Sequence, residues 1–305
     1  MNNDVTVIIR STGERTLSYC RKLITLQVPE EQVNIIEETP HPAALKKCLE
    51  TGIEQGRKWT LLIDADVLIT NDVVGTMLQF AESAVENLLV IQGVVLDKFF
   101  PIKRPAGNHI YRTALLKKAV ELIPTHGTSL RPESDMMEAM AENGYPWQQV
   151  DFILGLHDFR QYYRDIYKKC FLQAHKHARY ISIVESYWEE KQTYDKDFKV
   201  ALAGLKAGRE YNGKVFVDRE FWDSETKDAL NLMQIEEKKP LVEEELSASS
   251  LDKIIKKQRA VAFWNRELQK KMFPPKSWDK IHGIENKKKS GIFAKAGRAF
   301  NKIIS

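Results

Sequence analysis

The run KWTLLIDADVLITND at residues 58–72 constrains this chain more than any other stretch. Five mostly apolar residues, Trp59 to Ile63, lead straight into Asp64 and Asp66, and the chain turns apolar again at Val67. A short apolar run with polar ends has the pattern of a buried strand. Residues i and i+2 of an extended chain project to one side, so both carboxylates are expected to face one point at the strand's carboxyl end, where open α/β sheets bind ligands. Two acids this close raise each other's pKa, and a hard divalent cation with oxygen ligands removes the conflict. Mg2+ or Mn2+ is the expected ion, and a nucleotide diphosphate is its expected companion, because a cation held by so few carboxylates completes its shell with water and phosphate. The alternative is structural: one aspartate caps the next helix and the other is solvated.

The rest of the first half fits a sheet around that strand. VTVIIR and VNIIEE read as strands, TLSYCRKLITLQ carries Leu17, Cys20, Leu23 and Ile24 on one helical face, and HPAALKKCLETGIEQG reads as a helix with Pro42 in its first turn and Gly56 beyond its end. A helix around 71–87, a strand at NLLVIQGVVL, a loop at 101–107 and helices near 113–122 and 134–143 follow. This alternation predicts an α/β fold, a mostly parallel sheet flanked by helices, over residues 1–157. From residue 158 the chain turns to long, charged, aromatic helical segments, a helical C-terminal subdomain over 158–286, and ends in a basic tail, 287–305.

Charge and cysteine usage narrow the class. The tail holds six Lys or Arg and no acid; without it the formal balance of 46 basic and 42 acidic residues becomes 40 against 42, so nucleic acid is not an expected partner. Cys20, Cys48 and Cys170 have no metal-ligand spacing and suit buried free thiols in a reducing, cytoplasmic setting. MNNDVTVIIRST reads as a first strand, unlike a signal peptide, and no window approaches the apolar length of a spanning helix.

In order, VTVIIRSTGERTLSYCRKLITLQ, ALKKCLETGIEQGRKWTLLIDADVL, GNHIYRTALLKKAVELI and RPESDMMEAMAENGY resemble the nucleotide-sugar half of GT-A-fold glycosyltransferases, particularly family 2, over roughly residues 5–150. The chain departs from that pattern with Arg10 where a Pro is usual, Leu49 and Glu50 in place of an Arg-Asn pair, and Pro132 and Glu133 in place of a Glu-Asp pair. The resemblance implies a metal-dependent transferase with a nucleotide-sugar donor and a GT-A, Rossmann-like sheet. It implies that Asp64 lies near the ribose or metal, that Asp66 is the direct metal ligand, and that His157, in GLHDF, is a further metal or diphosphate contact. For an inverting hexosyl transfer, Glu133 falls where the family's base lies, with Asp135 in reserve; both equally suit the acidic first turn of a helix. Arg10, Thr12, Arg15, Glu37 or Glu38, and Asn108 match positions that contact the nucleotide-sugar, while Tyr111 and Arg112 are candidates to face sugar or acceptor. Lys169, His175, Lys176 and His177 form a basic run that suits either phosphate or a solvated helix face.

In the tail, Ile292, Phe293, Ala296, Ala299, Phe300, Ile303 and Ile304 recur at steps of three and four, with Lys295, Arg298 and Lys302 elsewhere on the wheel. Such a basic amphipathic helix suits either an anionic membrane surface or docking on its own domain. The expectation is a glycosyltransferase acting on a glycan or lipid-linked acceptor in surface-polysaccharide synthesis, cytoplasmic and peripheral to the membrane. Two alternatives are a non-catalytic scaffold of the same fold and a haloacid-dehalogenase-like phosphatase, whose later Gly-Asp-x-x-x-Asp motif the sequence lacks.

Overall fold

The computed structural model describes residues 3–215, 217, 223–242 and 248–272. The tail at 287–305 lies outside them. Eight strands form one mixed sheet: β1 (Val5–Arg10), β2 (Val33–Ile36), β3 (Trp59–Asp64), β4 (Val67–Ile69), β5 (Val90–Asp97), β6 (Lys103–Arg104), β7 (Asn108–Arg112) and β8 (Trp147–His157). Their order is β2-β1-β3-β7-β5-β8-β4, with β6 on β5. β1 pairs parallel with β2 and β3, and β5 parallel with β8; β4, β6 and β7 pair antiparallel, so five of the eight strands run in one direction. The fold class is α/β.

The period of two decides what each face buries. Val5, Val7 and Ile9 of β1 and Trp59, Leu61 and Ile63 of β3 enter one apolar cluster, whereas Ile8 and Leu62 enter the opposite one. The first face is covered by α1 (Leu17–Thr25), α3 (Val73–Glu82) and α10 (Ala248–Trp264), the last through Leu251, Ile255 and Ala262. The second is covered by α2 (His41–Gln55), α4 (Leu116–Glu121) and α5 (Pro132–Glu142). α2 starts and stops where its sequence dictates, with Pro42 in the first turn and Gly56 at φ 66° closing the end through N–H bonds to Gly52 and Ile53 carbonyls. A third cluster joins Phe99, Phe100 and Ile102 to α6 (Tyr163–Lys176), α7 (Ala178–Lys191), α8 (Lys196–Glu210) and α9 (Asp223–Leu232). The later helices thus rest on the sheet region: α10 lies on its face and α6 to α8 beside its carboxyl edge. All three cysteines are buried free thiols. No helix of the described residues is long and apolar enough to cross a membrane.

One link shapes the sheet. Only Ala65 and Asp66 separate β3 from β4, yet β7, β5 and β8 stand between those strands in the order. In a flat sheet the two would be roughly 19 Å apart, while the chain from Asp64 to Val67 reaches about 11 Å at most. The sheet therefore curls, bringing β4 and its partner β8 round to the carboxyl end of β3. The strand ends at Asp64, and Ala65 and Asp66 are a turn, so the i, i+2 rule stops applying between the two aspartates.

Gly155 permits the closure. A Cβ there would lie 1.9 Å from the Leu68 carbonyl oxygen of β4, a contact only backbone movement relieves. Gly155→Ala should lower unfolding stability by about 1–3 kcal/mol, measured by urea denaturation; a change inside experimental error would show that β4 and β8 separate without cost.

Candidate active site

Two charged clusters flank the β3 to β4 turn. The first lies on the α2 and α5 side. Arg10, opposite Asp64 in register, ends β1, and its Nε and Nη2 donate to Asp64 Oδ1 at 2.8 and 2.7 Å. Arg10 Nη2 also reaches Glu133 Oε2 at 3.2 Å. Glu133 is buried at the start of α5 and takes a bond from the Tyr111 hydroxyl at 2.7 Å, with His109 Nδ1 at 2.9 Å. His109 Nε2 in turn meets Gln92 Nε2 at 2.8 Å. Burial opposes charge on Glu133, but His109 and Arg10 override it and hold its carboxyl well below the usual range. A carboxylate so fully engaged is a weak base and a strong anchor. Burial raises the pKa of Asp64; Arg10 pulls it back, Asp66 and Glu133 push it up again, and the balance is upward. Added positive charge beside Asp64 and Asp66 would relieve that repulsion.

The second cluster forms around Asp66. β8 runs antiparallel to β4 with His157 opposite Val67, and the Asp158 N–H donates to the Asp66 carbonyl at 3.3 Å. Asp158 adopts φ 67°, a left-handed backbone uncommon outside glycine, which turns its carboxylate back beside His157. Asp66, His157 and Asp158 are all buried, each with a potential ligand atom within 4.8 Å of the others. His157 Nδ1 is held by Asp97 Oδ2 at 2.7 Å and Asp158 Oδ2 at 3.1 Å, leaving Nε2 3.6 Å from Asp66 Oδ1. That Asp66 oxygen is buried without a hydrogen-bond partner. Behind His157, Arg104 pairs with Asp97 at 3.2 Å.

These residues fit a divalent cation: a carboxylate oxygen lacking a donor, an imidazole nitrogen facing it, and a carboxylate behind the imidazole to fix its tautomer. A protein cation is also present. Lys169 of α6 donates to Asp66 Oδ2 at 2.6 Å and to Asp158 Oδ1. Burial works against charge on His157, and Asp158 and Asp66 overcome it, raising the imidazole to about 10; burial likewise opposes Asp158, which His157 and Lys169 bring down to about 2. Asp66, Asp97 and Asp158 thus face His157, Lys169 and Arg104, three acids against three bases.

The structure places the other expected residues as follows. Asn108 is wholly buried and spends its amide on Gly93 and Ala106, stitching β7 to β5. Thr12 bonds to Glu14 through its backbone N–H and hydroxyl. Arg15 donates to the Lys239 and Arg160 carbonyls, tying the loop after β1 to the C-terminal region. Glu37 accepts from Ser11 at 3.5 Å, Glu38 accepts from the Thr39 N–H, and both are exposed. Arg112 lies over the Trp59 ring at 4.6 Å. Asp135 is exposed on α5 and makes no ion pair among the described residues. Asp97, Arg104, His109 and His41 were not singled out from sequence. Asp97 carried a legible signal, because it ends the buried run VIQGVVLD just as Asp64 ends WTLLID.

No protein-family model matches the chain, and no curated protein matches it in sequence. Solved structures similar to it in fold are nucleotidyltransferases and glycosyltransferases. One is a cytidylyltransferase from Leptospira borgpetersenii, 10% identical, covering 50% of this chain and 77% of that one at a TM-score of 0.38. Another is a glycosyltransferase involved in glycosylation of the major capsid of PBCV-1, 13% identical over 49% and 82% with a TM-score of 0.37. A mannosyltransferase from Pyrobaculum calidifontis, in complex with GDP-Man and Mn2+, is 11% identical over 92% and 84%, also at 0.37. Likeness this distant decides nothing about activity, which depends on the side chains themselves.

Glu133 provides a test of the first cluster. Its depressed pKa means that its contribution is complete above the unfolded value near 4.5 and is lost as pH falls through the folded value. Glu133→Gln, which breaks a buried ion pair, should cost about 3–5 kcal/mol at pH 7. The deficit should shrink as the medium is acidified below that value; urea denaturation giving the same deficit at neutral and acid pH would deny the charge its role.

Proposed function

We propose that this protein is a glycosyltransferase that moves a sugar from a nucleoside-diphosphate donor to a glycan or lipid-linked acceptor, with Mn2+ or Mg2+ held by Asp66, His157 and Asp158. The observation that carries the reading is the meeting of Asp66 Oδ1 and His157 Nε2, 3.6 Å apart at the sheet's carboxyl end, the oxygen without a donor and the imidazole backed by Asp97. When bound, the ion supplies charge neutralisation for the departing nucleoside diphosphate. In this reading Asp97 orients His157, Asp158 closes the ligand set, and Arg10 fixes Asp64 at the end of β3, near the donor. Glu133 is assigned a positioning role, holding Arg10, His109 and Tyr111 in place, because its engaged carboxylate is poorly suited to take the acceptor's proton.

A second reading is favoured by Lys169, whose ammonium already bridges Asp66 and Asp158. Here the lysine is the cation that meets the donor's diphosphate, and no metal is needed.

Titration calorimetry separates the two. Under the metal reading, Mn2+ binds the free protein, Asp66→Asn abolishes binding, Asp97→Asn weakens it about 10–100-fold, and Lys169→Met tightens it by removing a competitor. Under the lysine reading, nucleoside diphosphates bind equally with and without Mn2+, and Lys169→Met abolishes that binding. Turnover of a panel of nucleotide sugars tests transfer itself: donor binding without turnover indicates a scaffold, and phosphate release from simple monoesters indicates a phosphatase.

We further propose that the tail at 287–305 holds the enzyme on anionic membranes, in keeping with its apolar stripe and six basic residues. The intact protein should sediment with vesicles containing anionic lipid and a chain ending at residue 286 should not; equal sedimentation removes the tail from this role.

A further inference from the structure

Beyond the Asp66 cluster, which Lys169 meets from the middle of α6, the helix carries a second concentration of positive charge at its C-terminal end. Lys169 and Lys176 are seven residues apart on that helix, two turns, or about 10 Å along the axis. Around Lys176 the fold gathers cations from three elements. Arg131, which begins α5, donates through Nη2 to the Lys176 carbonyl and lies 3.1 Å from His177 Nδ1. Arg104 of β6 stacks on Phe100 at 4.5 Å, and the same ring meets His177 edge-on at 6.1 Å. Lys168 and Lys169 supply charge from the preceding turns of α6, and burial, helped by Lys176 and Lys168, keeps the His41 imidazole at the start of α2 neutral. The acids close to this group are spoken for or peripheral: Asp97 pairs with Arg104, Glu133 with Arg10, and Asp135 and Glu138 act on Arg131 without an ion pair to it among the described residues.

Lys176 has no ion pair or side-chain hydrogen bond among the described residues, although it is partly buried. Burial, then Arg131, Lys169, Arg104 and Lys168, lower its ammonium to about 7, and the same kind of surroundings keep His177 neutral down to about 2. His41 Nδ1 and His175 Nε2 are buried without partners nearby. A half-buried ammonium such as that of Lys176, with no counter-charge of its own, costs stability, and a bound anion removes that cost.

We propose that Lys176 and Arg131, with Arg104 shared from the edge of the Asp66 cluster, form a second anion site that receives a phosphate group carried by the acceptor. The anion site stands on its own geometry; its assignment to the acceptor rests on the glycosyltransferase reading. At this site Arg131 offers a fork and Lys176 a point charge. No bond is made or broken at this site: it orients an acceptor whose hydroxyl is the reacting group.

Calorimetric titration of the intact, EDTA-treated protein with inorganic phosphate tests it without nucleotide, metal or turnover. One equivalent of phosphate should bind at about 0.15 M salt. Lys176→Met should weaken binding at least about tenfold, the scale of one lost charge-assisted hydrogen bond, Lys176→Arg should retain it, and Asp66→Asn should leave it unchanged. The Met variant should melt no lower than the wild type, because it removes a repelled cation. Phosphate binding indifferent to Lys176→Met, absent from the wild type, or abolished by one equivalent of nucleoside diphosphate would overturn the proposal, the last by returning the site to the donor.

Discussion

The two-residue turn at Ala65 and Asp66 is the constraint from which the rest of the site follows. It joins a central strand to an edge strand, which only a curled sheet permits. Curling carries β8 to the carboxyl end of β3 and sets His157 and Asp158 beside Asp66, although more than ninety positions separate them in sequence. Gly155 lets β4 and β8 close that tightly, and the left-handed backbone at Asp158 aims a carboxylate that an extended residue would direct elsewhere.

Closing the sheet in this way concentrates acid, and the fold answers with bases drawn from distant segments. Arg10 comes from β1, Lys169 from α6 and Arg104 from β6, so the helical region after residue 158 contributes directly to the charge balance of the sheet's edge. Removing any one partner leaves a buried uncompensated charge, which is why such clusters hold a single arrangement. The price is a site whose acids already face bases: Lys169 occupies Asp66 Oδ2 and would compete with any divalent cation entering at Oδ1.

How much of this was legible before the structure depended on the range of each signal. Local signals read well: the period-two runs of β1 and β3, Pro42 and Gly56 bounding α2, and the apolar run ending in acid that marked Asp64 and Asp66. The strands β4, β6, β7 and β8 did not show, because β4 and β6 are two or three residues long, and β7 and β8 mix buried polar groups such as Asn108 and His109 with apolar ones. Partner choice was invisible altogether. Arg10, Thr12, Arg15 and Asn108 sit where nucleotide contacts were expected, but hydrogen bonds to Asp64, Glu14, backbone carbonyls and Gly93 engage them, and all but the local Thr12–Glu14 pair are long-range and leave no trace in spacing. The basic run from Lys169 to His177 shows the same limit: helical spacing could not say that its first residue meets carboxylates while Lys176 meets none.

That contrast along α6 also separates two kinds of buried positive charge. Lys169 is held by Asp66 and Asp158, which raise its pKa well above the ordinary lysine value against the effect of burial. Lys176, two turns on, is driven the other way by burial and by four neighbouring cations. A lysine of the first kind stabilises the folded chain at neutral pH. A lysine of the second kind destabilises it there: the unfolded chain binds the proton more tightly between about 7 and the ordinary lysine value, so stability rises with pH across that window. Salt and helix packing do not require an unpaired ammonium at such a position, and methionine would fill the same space at lower cost. With Arg131 on the Lys176 carbonyl and beside His177, the proposed anion would offset that cost at the same end of α6.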